Sequence, residues 1–136
     1  MIVVDTNIIA YATFPSDHTE AVLQLHEFDF EWQVPILWRS EYLNVVSLYL
    51  RKRIIAMDRA LEAIETASNF VGDNEHILSP FLVLNTLASS TCSSYDCEFV
   101  TLAAQLNTKL ITYDKKILTE FPCIAMNPHD YLAHAQ

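Results

Sequence analysis

The sequence predicts an α/β fold, a parallel sheet held between helices in a three-layer α/β/α sandwich. Short apolar runs alternate with longer segments of helical periodicity along the chain, the signature of right-handed βαβ units. The first run, Met1-Ile2-Val3-Val4, is apolar without alternation, so its strand is buried on both faces. No repeat, low-complexity stretch or linker interrupts the 136 residues, so one domain over 1–136 is expected.

The elements follow in order. After the first strand, Asp5-Thr6-Asn7 leads into a short helix from Asn7 or Ile8 to Ala12, ended before Pro15. Ser16 or Asp17 caps a second helix, with Ala21, Val22, Leu25 and Phe28 at helical spacing. Trp32 to Val34 reads as a strand before Pro35, and a long helix runs from Leu37 to Arg53. Asp58 caps the next helix, whose stripe is Ala60, Leu61, Ile64, Ala67 and Phe70. Gly72-Asp73-Asn74 is a turn into a third strand, Glu75 to Leu78. Ser79-Pro80 opens a helix carrying Phe81, Val83, Leu84 and Leu87, with proline at the first helical position. Ser94 caps a helix from Tyr95 to Leu106. Leu110 to Thr112 is a strand, Lys115 to Thr119 a helical turn, Cys123 to Met126 the last strand, and Pro128 to Leu132 a final helix.

Composition narrows the function. With 17 acids against 8 bases the formal charge is −9, unlike proteins that coat nucleic-acid backbones with Lys and Arg. A metal enzyme acting on phosphates remains open, because clustered acids are neutralised by a bound cation. The single glycine excludes glycine-rich nucleotide loops. Cys92, Cys97 and Cys123 have no zinc spacing and read as free thiols of a reducing cytoplasm. No signal peptide or membrane span is expected.

Four acids stand apart from those on outward helix faces. Asp5 ends the first strand, and Glu41 lies near the start of the long helix. Asp96 is in the first turn of the helix after Ser94, and Asp114 follows the strand ending at Thr112. In a parallel sheet the strand ends point one way and the next helices begin there, so all four fall at one edge. Each alone has a structural role open to it. Asp5 suits a helix cap, Asp96 the helix dipole, Asp114 a turn and Glu41 an ion pair. Gathered in one crevice they repel, and a divalent cation such as Mg²⁺ or Mn²⁺ relieves that cost.

Four segments then match a known family in order and spacing. They are Val3-Val4-Asp5-Thr6-Asn7-Ile8-Ile9, Ser40-Glu41-Tyr42-Leu43-Asn44-Val45, Ser94-Tyr95-Asp96-Cys97-Glu98-Phe99-Val100-Thr101-Leu102-Ala103 and Leu110-Ile111-Thr112-Tyr113-Asp114. The chain resembles PIN-domain endoribonucleases, in particular the VapC-like toxins of bacterial toxin–antitoxin modules. The resemblance implies a five-stranded parallel sheet of order 3-2-1-4-5. It implies a Mg²⁺- or Mn²⁺-dependent ribonuclease whose catalytic and metal-holding acids are Asp5, Glu41, Asp96 and Asp114. Asn7 and Thr112 match positions that hold those carboxylates by hydrogen bonds. A small antitoxin, VapB-like, blocking the acidic site with an arginine, and a homodimer are implied as well. The sequence departs from the family in its strong acidity and in Cys92, where relatives often carry glycine.

Lys115 and Lys116, beside Asp114, and Arg39 are the candidate RNA contacts. Other readings fit less well, among them a receiver domain, which carries a phosphorylated Asp after the third strand where this chain has Ser79-Pro80. A haloacid-dehalogenase-type phosphatase needs a second acid two residues after the first, where this chain has Asn7. A catalytically inactive PIN-fold interaction module is disfavoured by the complete set of acids.

Overall fold

The apolar opening of the chain becomes the middle of a sheet. In the computed structural model, which describes residues 1–135, β1 (Ile2–Val4) is wholly buried. It pairs in parallel with β2 (Trp32–Pro35) on one side and β4 (Leu110–Ile111) on the other. β3 (Glu75–His76) extends the sheet beyond β2, and β5 (Ala125–Met126) beyond β4. The order is β3-β2-β1-β4-β5, all parallel, as the resemblance implied.

Helices cover the sheet. α1 (Thr6–Thr13) and α2 (Thr19–Phe28) lead from β1 to β2, and α3 (Trp38–Arg51) and α4 (Met57–Val71) from β2 to β3. α5 (Pro80–Ala88) and α6 (Ser94–Gln105) connect β3 to β4, α7 (Lys115–Glu120) connects β4 to β5, and α8 (Pro128–Ala135) follows. α6 lies across β1, β2 and β4, while α4 packs on β2 together with α1 and α3. The core joins Ile2, Val3 and Val4 to Trp32, Phe99, Leu102 and Ile111. Burying each such side chain contributes about 1.5–3 kcal/mol, so the strand ends are set by a rigid interior.

Helix ends depart from the sequence reading for local reasons. α2 begins at Thr19, not beside Ser16 or Asp17, because the Ser16 and His18 amides are bonded to Thr19 Oγ1 and Ser16 Oγ in a preceding turn. Asp58 lies inside the first turn of α4, with Ala56 at the cap position. Ser93, not Ser94, caps α6, its Oγ accepting from the Asp96 amide at 3.1 Å. α3 stops at Arg51 because Arg53 takes a left-handed φ of 57°, which lets the Ile54 amide bond back to Tyr49 O. β3 ends at His76 because the Ile36 amide takes His76 O as the neighbouring chain turns away into α3. The last strand keeps only Ala125–Met126 of the expected Cys123–Met126. Leu61, Phe81 and Leu84 face outward at 60%, 79% and 59% exposure.

Candidate active site

The sheet brings the four acids to one cleft. Asp5, Thr6, Asn7, Glu41, Asn44, Val45, Asp96 and Asp114 line a hollow of about 230 Å³. β1 delivers Asp5, the start of α3 delivers Glu41, and the first turn of α6 delivers Asp96. Asp114 stands at the entry to α7, just past β4.

Each carboxylate is held differently. Asp5 occupies the cap position of α1, yet its side chain makes no cap bond. It turns to Thr112, whose Oγ1 donates to Asp5 Oδ2 at 2.7 Å. Thr6 Oγ1 donates to Glu41 Oε1 at 2.8 Å. Asp114 does cap its helix, Oδ1 accepting from the Ile117 amide at 2.9 Å, which leaves Oδ2 facing other uses. Asp96 has its amide tied to Ser93. Among the described residues none of the four forms an ion pair.

The electrostatics follow from that crowding. Burial pushes the Asp5 carboxyl up to about 6 from its usual 3.8. The Thr112 hydrogen bond opposes this, and the charges of Glu41 and Asp96 add to it. Glu41 is raised by burial, then by Asp96 and Glu98, against the Thr6 hydrogen bond. Asp96 is raised by burial and by Asp114, against Ser93 and Lys116. Three acids at one edge therefore resist ionisation, a strain that cationic charge in the cleft would remove.

A PIN-domain family model matches residues 2–121. The chain belongs to the PIN-domain family. Solved structures share the fold at low identity. FitAcB from Neisseria gonorrhoeae superposes with a TM-score of 0.75 at 15% identity, covering 95% of this chain and 99% of that one. VapBC2 from Rickettsia felis, bound to a DNA fragment from its promoter, gives 0.68 at 18% identity over 93% and 98%. PAE2754 from Pyrobaculum aerophilum gives 0.67 at 18% identity over 99% and 97%. Comparison with curated protein sequences returned no significant match.

In this PIN domain the supporting residues are only partly those expected. Thr112 reaches Asp5 through its hydroxyl. Asn7 is exposed on the cleft wall, and no hydrogen bond joins its side chain to a carboxylate among the described residues. Thr6 and Asn44 were missed. The signal for Thr6 was its place directly after Asp5 at the start of α1, where a hydroxyl can reach the acid that the start of α3 brings in. Asn44 lies one turn past Glu41 on the same face of α3.

Of the expected RNA contacts, Lys115 and Lys116 are exposed at the start of α7. Arg39 lies elsewhere, in a hollow of about 460 Å³ with Trp38, Tyr42 and Ile64. Its guanidinium grips Glu75 through two bonds of 2.6 Å, and Trp38 Nε1 adds a third to Glu75 Oε2 at 2.7 Å. Of the two acids lining that larger hollow, Glu75 is paired with Arg39, and Asp73 lies beside it.

Among the described residues no three His, Cys, Asp or Glu groups already close into a metal shell. The donor set still fits a hard divalent cation: carboxylate oxygens, buried at Asp5 and half-buried at the other three, in no ion pair among the described residues, with no sulfur or imidazole in the lining.

Proposed function

We propose that this PIN domain is a Mg²⁺- or Mn²⁺-dependent endoribonuclease, the toxin of a toxin–antitoxin module. The observation that carries the reading is the convergence of Asp5, Glu41, Asp96 and Asp114 on one cleft, none of them in an ion pair among the described residues. Asp5, Asp96 and Asp114 would hold the cation, with Glu41 placed to orient it or its water. When bound, it supplies Lewis-acid charge that offsets the phosphate's own and acidifies water for attack on phosphorus.

The chain's own residues do the rest. Thr112 fixes the direction of Asp5, and Thr6 fixes that of Glu41. Glu41, with its carboxyl already raised, is suited to take a proton from the attacking water. Lys115 and Lys116, exposed beside Asp114, pair with flanking phosphates. Arg39 joins them only if it leaves Glu75. Its present bonds make it the weaker contributor.

Two of the structural neighbours are named as FitAcB and VapBC2, and this supports an antitoxin partner here. An antitoxin arginine suits the cleft, since guanidinium pairs with carboxylates through two parallel bonds. We assign the chain to the cytoplasm; no helix of the described residues is long and apolar enough to cross a membrane. We further assign a homodimer through α5, where Phe81 and Leu84 are exposed and no charged residue occurs between His76 and Asp96. Two chains of charge −9 meet most easily on such a surface.

The test is cleavage of single-stranded RNA by wild type, Asp5→Asn and Asp96→Asn purified identically, with Mn²⁺ and with chelator. Cleavage by wild type alone, and only with Mn²⁺, supports the reading. Equal cleavage by all three, or none by any, overturns it.

A further inference from the structure

Beside the acidic cleft lies a run of rings that the catalytic reading does not use. His18 lies over Tyr113, centroids 4.0 Å apart at 30°. Tyr11 meets both, at 4.7 Å from His18 and 5.7 Å from Tyr113. His129 continues the run, 6.2 Å from Tyr113. Two links join this run to the cleft. Tyr113 immediately precedes Asp114, and Tyr11 lies one helical turn from Asn7 on the same face of α1.

Tyr11 and Tyr113 rest one side on the core, but the run as a whole stays at the surface. Tyr11, His18 and Tyr113 are half-exposed, and His129 is exposed. Tyr42 commits its hydroxyl to Thr13 and Ala63 O and Tyr131 to Asp29, whereas Tyr49, packed on Phe14, has no such bond among the described residues. Among the described residues the Tyr11 hydroxyl and the His18 ring nitrogens have no protein partner, and Tyr113 meets His129 only at 3.5 Å. The polar edges are left to solvent or to a ligand.

The charge balance says what such a ligand needs. Most of the basic side chains are engaged or remote. Arg39 is held by Glu75, Arg59 by Thr13 O and the Phe14 ring, and Lys109 by Cys123 O. Arg51, Lys52 and Arg53 lie at the far end of α3. Lys115 and Lys116 remain at the cleft, too few to hold a polyanion by charge on a chain of −9. Affinity must come from contacts that do not depend on charge, and aromatic faces offer them to unpaired bases.

We infer that Tyr11, His18, Tyr113 and His129 form a stacking shelf for an unpaired nucleobase next to the scissile phosphate. The inference rests on the nuclease reading above and names the side chains that would hold a base of its substrate. A base inside a duplex has its faces covered and gains nothing from the shelf.

The probe is a set of single-stranded RNA oligonucleotides with 2-aminopurine at successive positions, bound to Asp96→Asn protein in Mg²⁺ and followed by fluorescence. One or two adjacent positions should be quenched on binding, and the same positions in a duplex should not. Tyr113→Phe keeps the quench. Tyr113→Leu and His129→Ala lose it and weaken binding about tenfold. His129 is exposed, so its replacement leaves the fold intact even if Tyr113→Leu does not. Unchanged quench and affinity in both variants, with wild type still cutting RNA, overturn the shelf alone. A wild type that neither binds nor cuts RNA overturns the nuclease reading, and the shelf with it.

Discussion

Thr112 Oγ1 donates its hydrogen to Asp5 Oδ2 at 2.7 Å and itself accepts from the Asp114 amide at 2.9 Å. One fully buried hydroxyl at the end of β4 thus sets the positions of two acids 109 positions apart in sequence order, Asp5 and Asp114. Thr112→Val keeps the shape and removes both bonds. Loss of such a supporting group costs about 10–100-fold in metal affinity or activity, and Thr112→Ser should restore most of it. A Mn²⁺ titration of RNA cleavage checks this; an unchanged half-saturating concentration in Thr112→Val would refute it.

The raised Asp5 carboxyl predicts a trade between stability and function. Its folded value of about 6 exceeds the ordinary 3.8, so the fold binds this proton more tightly than the unfolded chain does. Below pH 3.8 the group is protonated in both states and costs nothing. The penalty grows as pH rises through that window and is complete above about pH 6, where it amounts to about 3 kcal/mol. In metal-free buffer Asp5→Asn should therefore be more stable than wild type by up to about 3 kcal/mol at pH 7.5. The gap should close as pH approaches 4. Urea unfolding at a series of pH values measures it, and a gap independent of pH contradicts this assignment.

Lys115 and Lys116 differ from Arg39 in what they already hold. The lysines are exposed at the cleft, whereas Arg39 is bound twice by Glu75. Replacing both lysines with alanine should lower the salt slope of single-stranded RNA binding by about 1.4, at about 0.7 per charge. Arg39→Ala should change the slope much less. The opposite ranking would move the RNA path to the α3–β3 side.

Phe81 is 79% exposed on α5, a helix without a single buried residue. Phe81→Asp puts a charge on the proposed dimer surface without touching the core. Light scattering should show a dimer for wild type and a monomer for the variant. A wild-type monomer at tens of micromolar would remove the dimer assignment.

Much of this was legible in the sequence because the signals were local. The unbroken apolar run before Asp5 marked the central strand, and four acids at strand or helix junctions marked the edge that the fold gathers into one cleft. What escaped the sequence depends on rotamers and on neighbours far along the chain. The resemblance points to Asn7 as a carboxylate's support, but α1 turns Thr6 inward to Glu41 and leaves Asn7 exposed. Arg39 reads as a free cation until β3 brings Glu75 against it. The apolar stripe on α5 reads as core, because periodicity shows which face is apolar and not whether anything covers it.

The account depends most on the acids holding a divalent cation, and Mn²⁺ binding tests that directly. Free Mn²⁺ can be counted by its electron paramagnetic resonance signal as protein is added. Wild type should remove Mn²⁺ from solution at one or two ions per chain, and Asp5→Asn and Asp96→Asn should bind it at least tenfold more weakly. Wild type that leaves the Mn²⁺ signal unchanged, or variants that bind as well as wild type, would contradict it.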